Sequence, residues 1–379
     1  MKIKIQQFLF GGELLSWAIV GQNIGRSLIK QGHEVDFVST DGIVDKYLPT
    51  DLAPFAKSNL HGRIMTTDRF DMQVSYTAMH NFSRYISMSN GMKNRFGIYN
   101  YDGTVIPANM VKHFHFCDKI LPSSNFSKEV MINSKIPEEK ICVIPHGINL
   151  EDYTTDVKYP LKTKKRYKIL LNIATPHLRK NLRNTLRAYA KAFTKDDDVC
   201  LVVKVTQNKA KDQKEKENRK LFHVNFQEEL QILRQQYKNC GEIESINGFV
   251  PSLAELYNAC DIVFMMSNIE MWWLPGIEAF ATNKLVIASN YSGQLHYLNP
   301  DNSLLINGNI TRMPAQYQYY EPSPHAEMFD PSIDDAVDKL KYAINNYDEL
   351  KNKFEPKMKE AVQTYTWENV ANQILALVK

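Results

Sequence analysis

The sequence predicts an α/β fold made of two doubly wound parallel sheets in series. Three observations carry this. At 379 residues the chain is long for one hydrophobic core, so two domains are expected. Strand-length apolar runs alternate with stretches of helical period, first over residues 1–150 and again after residue 166. Between them, residues 152–166 are polar, aperiodic and supplied with Thr154-Thr155, Pro160 and several lysines, the composition of a linker.

The first alternation opens with a strand over residues 2–8, a turn at Gly11-Gly12 and a helix over 14–30. Leu15, Ala18, Ile19, Ile24, Leu28 and Ile29 form the helix's apolar side, and Gly32 stops it. A second strand at 34–39 completes a βαβ opening. It contains no G-x-G-x-x-G, so a nicotinamide cofactor is not indicated. Strands follow at 74–78, 117–122 and 141–144, with helices at 107–116 and 126–132, the latter capped from Ser123-Ser124-Asn125. The aromatic run 96–101 ends in Asp102-Gly103, and the last strand of this half is closed by Pro145-His146-Gly147.

The second alternation begins with a strand at 167–173, a helix at 181–193 and a strand at 199–205. The lysine-rich residues 204–220 read as a solvated loop and helix start, with contact to a polyanion as the sharper alternative. A helix at 226–237, a strand leading from 243 to 250, a short helix at 253–258 and a strand at 261–266 follow. After a helix begun at 278–282 come strands at 285–288 and 303–306 and a long surface loop over 308–330. Helices at 334–345, 347–362 and 367–378 close the chain.

Composition sets bounds on function. Forty-six Lys and Arg against 42 Asp and Glu give a net charge of +4, too mild for a dedicated nucleic-acid domain. The five cysteines are scattered without a C-x-x-C pair, which argues against structural zinc and a disulfide framework and fits a reducing, cytoplasmic compartment. The opening residues do not read as a signal peptide, and no apolar stretch approaches the ~20 residues of a membrane span. Peripheral membrane contact stays open.

Residues 267–278, Ser-Asn-Ile-Glu-Met-Trp-Trp-Leu-Pro-Gly-Ile-Glu, carry the densest chemistry. They read as strand end, loop and helix start. Such a junction presents unbonded N–H groups and the positive end of a helix dipole, which suits a diphosphate. Glu270 and Glu278 flank the loop and could hold the hydroxyls of a polyol. A phosphate-linked sugar satisfies both features.

The order Gly11-Gly12, Pro145-His146-Gly147-Ile148-Asn149, Arg179-Lys180-Asn181, Glu270 to Pro275 and Gly276-Ile277-Glu278-Ala279 resembles a family-4 glycosyltransferase over nearly the whole chain. Thr366-Trp367-Glu368-Asn369-Val370 is similar to that family's last helix. The resemblance implies a GT-B fold of two Rossmann-like domains facing across a cleft. It divides the chain into an acceptor-side domain (1–155), a donor domain (156–355) and a C-terminal helix (356–379) that crosses back onto the first. It also implies retention of anomeric configuration and transfer without a metal or other cofactor. The co-substrate is then a UDP- or GDP-sugar, and the partner a saccharide or glycolipid acceptor.

By the same resemblance Lys180 takes the diphosphate, Glu278 the ribose and Glu270 the donor sugar. Asn247, Phe249 and Val250 line the base. Gly11 and Gly12 approach the diphosphate, and Arg179, Trp272, Leu274, Pro275 and Gly276 complete the donor site. Asp102 faces the acceptor and joins Glu270 and Lys180 as a catalytic candidate, with His80 and Tyr99 as acceptor-side candidates. His146 reads as an interdomain structural residue. The departures are Met271 and Trp273 where relatives carry glycine, and Asn283 and Leu285 where they often carry Gly and Pro. Ala174-Thr175 stand where an arginine is expected, leaving Arg179 or His177 to compensate. Modified DNA as acceptor, an epimerase on the same fold and a non-enzymatic sugar-nucleotide binder are the alternatives. Only the basic stretch and the mild net charge favour DNA.

Overall fold

Alternating isoleucines and polar residues make β1 (Lys2–Gln7) a two-faced strand in the computed structural model, which describes residues 1–7, 16–39, 49–58, 70–76, 92–206, 223–314, 317, 323 and 325–379. The chain divides into two units, Met1–Asn149 with Thr364–Lys379, and Leu150–Gln363.

In the first unit β1 leads to α1 (Ser16–Lys30), which ends at Gly32 with φ 82°, a conformation glycine adopts without strain. β2 (Glu34–Ser39), β3 (Ala56–Ser58), β4 (Met72–Tyr76), β5 (Arg95–Ile98) and β6 (Lys119–Leu121) follow. They form one parallel sheet in the order β3-β2-β1-β4-β5-β6. Ile3, Ile5, Val35, Phe37 and Val74 pack with Val20, Ile24 and Leu28 of α1. Trp367, Val370 and Ile374 of the chain's final helix, Trp367–Leu375, join the same core. Gly147 makes room for that helix: a side chain there would meet the Trp367 backbone nitrogen at 2.5 Å. Ile148 N–H donates to Tyr365 O at 2.8 Å across the same contact.

Two expectations change here. The helix of 107–116 is one α-turn, Ala108–Val111, tightening into 3-10 turns through Lys112–Phe116; its His and Phe residues are weak helix formers. The strand of 141–144 shrinks to a bridge between Ile141 and Ile120. Cys142 N–H reaches Ile120 O and Ile144 N–H reaches Pro122 O, both at 2.9 Å. Pro122 has no N–H to return, so the ladder stops. Downstream of β6, α2 (Asn125–Asn133) is capped by Ser124, whose side chain accepts from Ser127 N–H.

In the second unit β7 (Tyr167–Ile173), α3 (Leu182–Ala192), β8 (Val199–Val205), α4 (Phe226–Gln236), β9 (Glu242–Asn247) and α5 (Leu253–Asn258) come first. β10 (Ile262–Met265), α6 (Leu274–Ala281), β11 (Leu285–Ser289) and β12 (Leu304–Ile306) complete a parallel sheet ordered β12-β11-β10-β7-β8-β9. Within residues 308–330, expected as loop, β13 (Gly308–Arg312) and β14 (Glu327–Pro331) pair antiparallel. Ile310 and Phe329 face each other in that pair. α7 (Ile333–Asn345) and α8 (Tyr347–Thr364) follow.

Both sheets have the same order relative to the chain. Each starts centrally, builds outward on one side, then returns to build on the other. The return creates a crevice at the carboxyl ends of the central strands, where α/β proteins bind ligands. In the second unit it lies between β7 and β10. Their ladder runs only through Ile262↔Ile169 and Val263↔Leu170, whereas β7 pairs with β8 over its whole length.

Candidate functional site

The segments leaving β7 and β10 meet beyond this crevice. Asn268 N–H donates to Arg179 O at 2.8 Å and ties the two loops together. Glu270 stands at the junction, 4% exposed. Lys180 Nζ donates to its Oε1 at 2.6 Å and Arg179 Nη1 to its Oε2 at 2.9 Å. The Glu270 main chain is held on both sides, its N–H by Ser292 Oγ at 2.9 Å and its carbonyl by Gly293 N–H at 2.7 Å. Burial pushes the carboxyl up, but the two cations outweigh it and hold Glu270 below the usual range. Among the described residues two cations thus meet on one carboxylate at the crevice, a setting that suits an anion. The expected roles of Lys180 and Glu270 therefore converge on one ion-paired cluster. Removing one member of such a buried pair costs about 3–5 kcal/mol.

Sequence places Lys180 at this point through a tight turn, Leu178–Lys180, closed by Asn181 in the left-handed region at φ 50°. Asparagine tolerates that region better than most residues. α3 then starts at Leu182.

Glu278 was expected to open its helix. Instead α6 begins four residues earlier, at Leu274, so Glu278 lies in its second turn. Pro275 stands in the first turn, where a missing N–H costs nothing. The start of α6 carries the positive end of the helix dipole, although Pro275 has no N–H and the Gly276 N–H already donates to Trp273 O at 3.1 Å. Glu278 is 7% exposed and accepts from Tyr257 Oη at 2.7 Å, with Tyr153 as a second hydrogen-bond donor. Asn172 Nδ2 donates to the same Tyr257 oxygen at 3.2 Å. Burial raises the Glu278 carboxyl despite the two tyrosines and the charge of Lys204.

Met271, Trp272 and Trp273 do not project into solvent; each is buried to within 4%. Trp272 packs against Tyr297 at 5.0 Å and His296 at 5.5 Å between ring centroids. Tyr297 Oη donates to Trp273 O at 2.6 Å. Gly276 lies against the Trp273 ring and the Tyr297 hydroxyl, and a methyl group there would overlap both. Trp273 adopts φ 64°, the left-handed region in which glycine is at ease, at a cost of about 1–2 kcal/mol. Among the described residues Ser267 Oγ, Asn181 Nδ2 and Trp273 Nε1 are buried polar atoms without a hydrogen-bond partner. All three belong to the segments that frame the crevice.

The remaining donor-side residues sit at the neighbouring strand ends. Asn247 ends β9 and is followed by Gly248 at φ 104°, an exposed Phe249 and a buried Val250. His177 is half-buried, edge-on to His223, with centroids 4.3 Å apart. Burial, then Arg179 and His223, push its pKa well down, so it supplies no positive charge to the site. That corrects its suggested role as a replacement cation.

In the first unit Tyr99 and Asp102 follow the carboxyl end of β5. Tyr99 is buried edge-on to Phe114 at 4.8 Å, and Asp102 is half-buried. His146 is 5% exposed among Tyr76, Asn100 and Trp367 of the same unit, with Asn100 Nδ2 and its Nε2 3.1 Å apart. Burial lowers its pKa to about 3, so it is neutral. These neighbours all belong to the first unit. Gly11, Gly12 and His80 lie outside the described residues, as do residues 207–222 of the basic stretch.

Sequence reading missed Asn172, Tyr153 and Tyr257, which carry no motif. It also counted Lys204 with the solvated lysines, although the structure buries Lys204 within β8. Its place in the apolar run Val-Cys-Leu-Val-Val-Lys-Val was the available signal. Among the described residues no group of three or more His, Cys, Asp or Glu side chains is placed to hold a metal ion.

Residues 155–318 match the family model described as Glycosyl transferases group 1. No curated protein matches the chain. Among solved structures, the HepE protein of Anabaena in complex with UDP and glucose is similar with a TM-score of 0.74 at 12% identity, covering 99% of this chain and 98% of that one. A glycosyltransferase of Rickettsia africae gives 0.72 at 18% identity, over 100% and 97%. Sucrose-phosphate synthase of Thermosynechococcus elongatus gives 0.70 at 15% identity, over 100% and 98%. The chain has the GT-B fold of these structures, two Rossmann-like α/β units with parallel sheets, and the Glycosyl transferases group 1 match lies over the unit that holds Lys180, Glu270 and Glu278.

Proposed function

We propose that the protein is a retaining, metal-independent glycosyltransferase of family 4. It moves a hexose from a UDP- or GDP-sugar to a hydroxyl of a saccharide, glycan or glycolipid. One observation carries the reading. Glu270 and Glu278 are both buried, flank the start of α6 at the carboxyl edge of a parallel sheet, and are held in different ways. Glu270 is bound by two cations, while Glu278 is held by tyrosines.

In this reading the Glu278 carboxylate accepts hydrogen bonds from the ribose hydroxyls. The positive end of the α6 dipole and the cations Lys180 and Arg179 receive the diphosphate. As the bond between the anomeric carbon and the phosphate oxygen breaks, the electron pair leaves with the diphosphate. The added negative charge falls on groups already oriented to receive it. The acceptor oxygen bonds the anomeric carbon and passes its proton to the departing diphosphate oxygen. Glu270, anchored through its main chain, faces the sugar hydroxyls. The first unit takes the acceptor, with Tyr99, Asp102 and His80 as candidates; Gly11 and Gly12 are assigned to the diphosphate. The scattered free cysteines favour a cytoplasmic location, and among the described residues no helix is long and apolar enough to cross a membrane.

The test is titration of UDP and GDP into wild type and Glu278→Ala. A charge-assisted pair of hydrogen bonds is worth about 1.5–3 kcal/mol, so the variant is expected to bind the preferred nucleotide about 10- to 100-fold more weakly. Unchanged affinity would remove Glu278 from the site.

A further inference from the structure

We propose that Lys204 is a nucleotide-binding residue whose ammonium takes the ribose-proximal phosphate of the nucleoside diphosphate, between the ribose carboxylate Glu278 and the exposed ring of Phe249. The proposal rests on the donor-site reading above and adds to it a cation that no sequence motif marks.

Lys204 is the penultimate residue of β8, 6% exposed in a strand whose other side chains are all buried and are all Val, Leu or Cys. It pairs in register with Asn172 of β7, so the two side chains leave the sheet on the same face. Asn172 reaches Tyr257, and Tyr257 holds Glu278. The ammonium therefore lies on the Glu278 side of the sheet, at the edge where the crevice opens.

An ammonium in such a place is expensive unless it is paired. Its hydrogen-bond partner among the described residues is Thr206 Oγ1 at 3.1 Å, which uses one of three donors. The Phe249 ring centroid is 5.9 Å away. Glu278 acts on it through space, and no described carboxylate lies within ion-pair distance. Burial holds its pKa below that of an ordinary lysine, with Glu278 opposing the shift. The two remaining donors are what an approaching anion would meet.

Connectivity of the ligand selects the phosphate. In a nucleoside diphosphate the first phosphate is bonded to the ribose 5′ oxygen. A cation next to the ribose carboxylate is therefore placed for that phosphate rather than the distal one. Arg179 and Lys180, bound to Glu270 near the sugar end, remain for the distal phosphate. Phe249 is 45% exposed beside Lys204 and offers an aromatic face for the base. Ala174-Thr175, just beyond the carboxyl end of β7, carry no charge, and the neighbouring strand supplies one from Lys204.

The experiment is calorimetric titration of UDP, UMP and uridine, and of the guanosine series, into wild type, Lys204→Met and Lys204→Arg, with melting temperatures recorded for each protein. Lys204→Met is expected to stay folded, because a linear apolar chain replaces a buried ammonium. Its affinity for the diphosphate and the monophosphate should fall 10- to 100-fold, with nucleoside affinity changed less than about twofold. Lys204→Arg, which keeps the charge, should recover most of the loss. If Lys204→Met binds the nucleotides as tightly as wild type, the proposal is wrong and the donor site stands. Equal losses for nucleoside and nucleotide would also overturn it, since Lys204 would then serve only as the counter-charge of Glu278. Failure of wild type to bind any nucleoside diphosphate would remove the donor site itself.

Discussion

Lys4 places an ammonium inside the first sheet, 1% exposed, in register with Asp36 on one side and Gln73 on the other. On the same face Gln73 Nε2 donates to Gln6 Oε1 and lies near Ser75 Oγ, each at 2.7 Å. Among the described residues no ion pair reaches Lys4, and burial lowers its pKa from 10.5 to about 8. The native state thus sheds a proton between pH 8 and 10.5 that the unfolded chain keeps. The charged amine weakens the fold below pH 8, and the penalty fades as pH rises through that window. Lys4→Met should therefore stabilise the protein by roughly 1–3 kcal/mol at neutral pH, with the gain vanishing at high pH. Denaturant melts at pH 7 and pH 10.5 check this; a destabilised variant at pH 7 would show that Asp36 and Gln73 hold the charge. Residues of this kind are hard to read from sequence. Lys-Ile-Lys-Ile-Gln-Gln announces alternation, but the depth of its polar face depends on what covers it. Asn172, Tyr153 and Tyr257 were silent for the same reason, whereas Glu270 and Glu278 were legible from spacing and setting.

At the scale of elements, sequence reading did best where period and punctuation agreed. β2, β7 and β8 coincide with the expected runs, and α5 with its short helix. It did worst at α6. The helix starts at Leu274 behind a left-handed Trp273 that makes no side-chain cap, so the usual Ser, Thr, Asp or Asn signal is absent. Pro275 was the one available start signal. The β13–β14 hairpin was hidden by a run rich in Pro, Tyr and Asn. The final helix was clear from its apolar stripe, and its packing yields a prediction. Trp367 is 5% exposed in the core shared with α1, and Gly147 leaves room for its backbone. Trp367→Ala should cost about 3–5 kcal/mol through the cavity it leaves. Loss of hydrogen-exchange protection in the first unit would report it, while a change below 1 kcal/mol would mean that the helix contributes little to that core.

At the scale of the molecule, one arrangement of strands is used twice. In each unit the chain starts in the middle of the sheet and reverses its direction of growth once. The alternation of strand and helix made both sheets legible, and the GT-B fold follows from their order. Pairing of Lys180 with Glu270 was not legible. The two residues are distant in the chain, and only the adjacency of β7 and β10 brings their loops together. The two cations of that cluster are what suits a departing diphosphate, and transfer from a nucleotide sugar is the central claim. The direct measurement is nucleoside diphosphate release when the purified protein is incubated with UDP-, GDP- and ADP-sugars, alone and with saccharide or glycolipid acceptors. The account predicts acceptor-dependent release from a UDP- or GDP-sugar, a glycosylated product that keeps the donor's anomeric configuration, and loss of release in Glu278→Ala. A folded protein that neither binds nor cleaves any nucleotide sugar would contradict it.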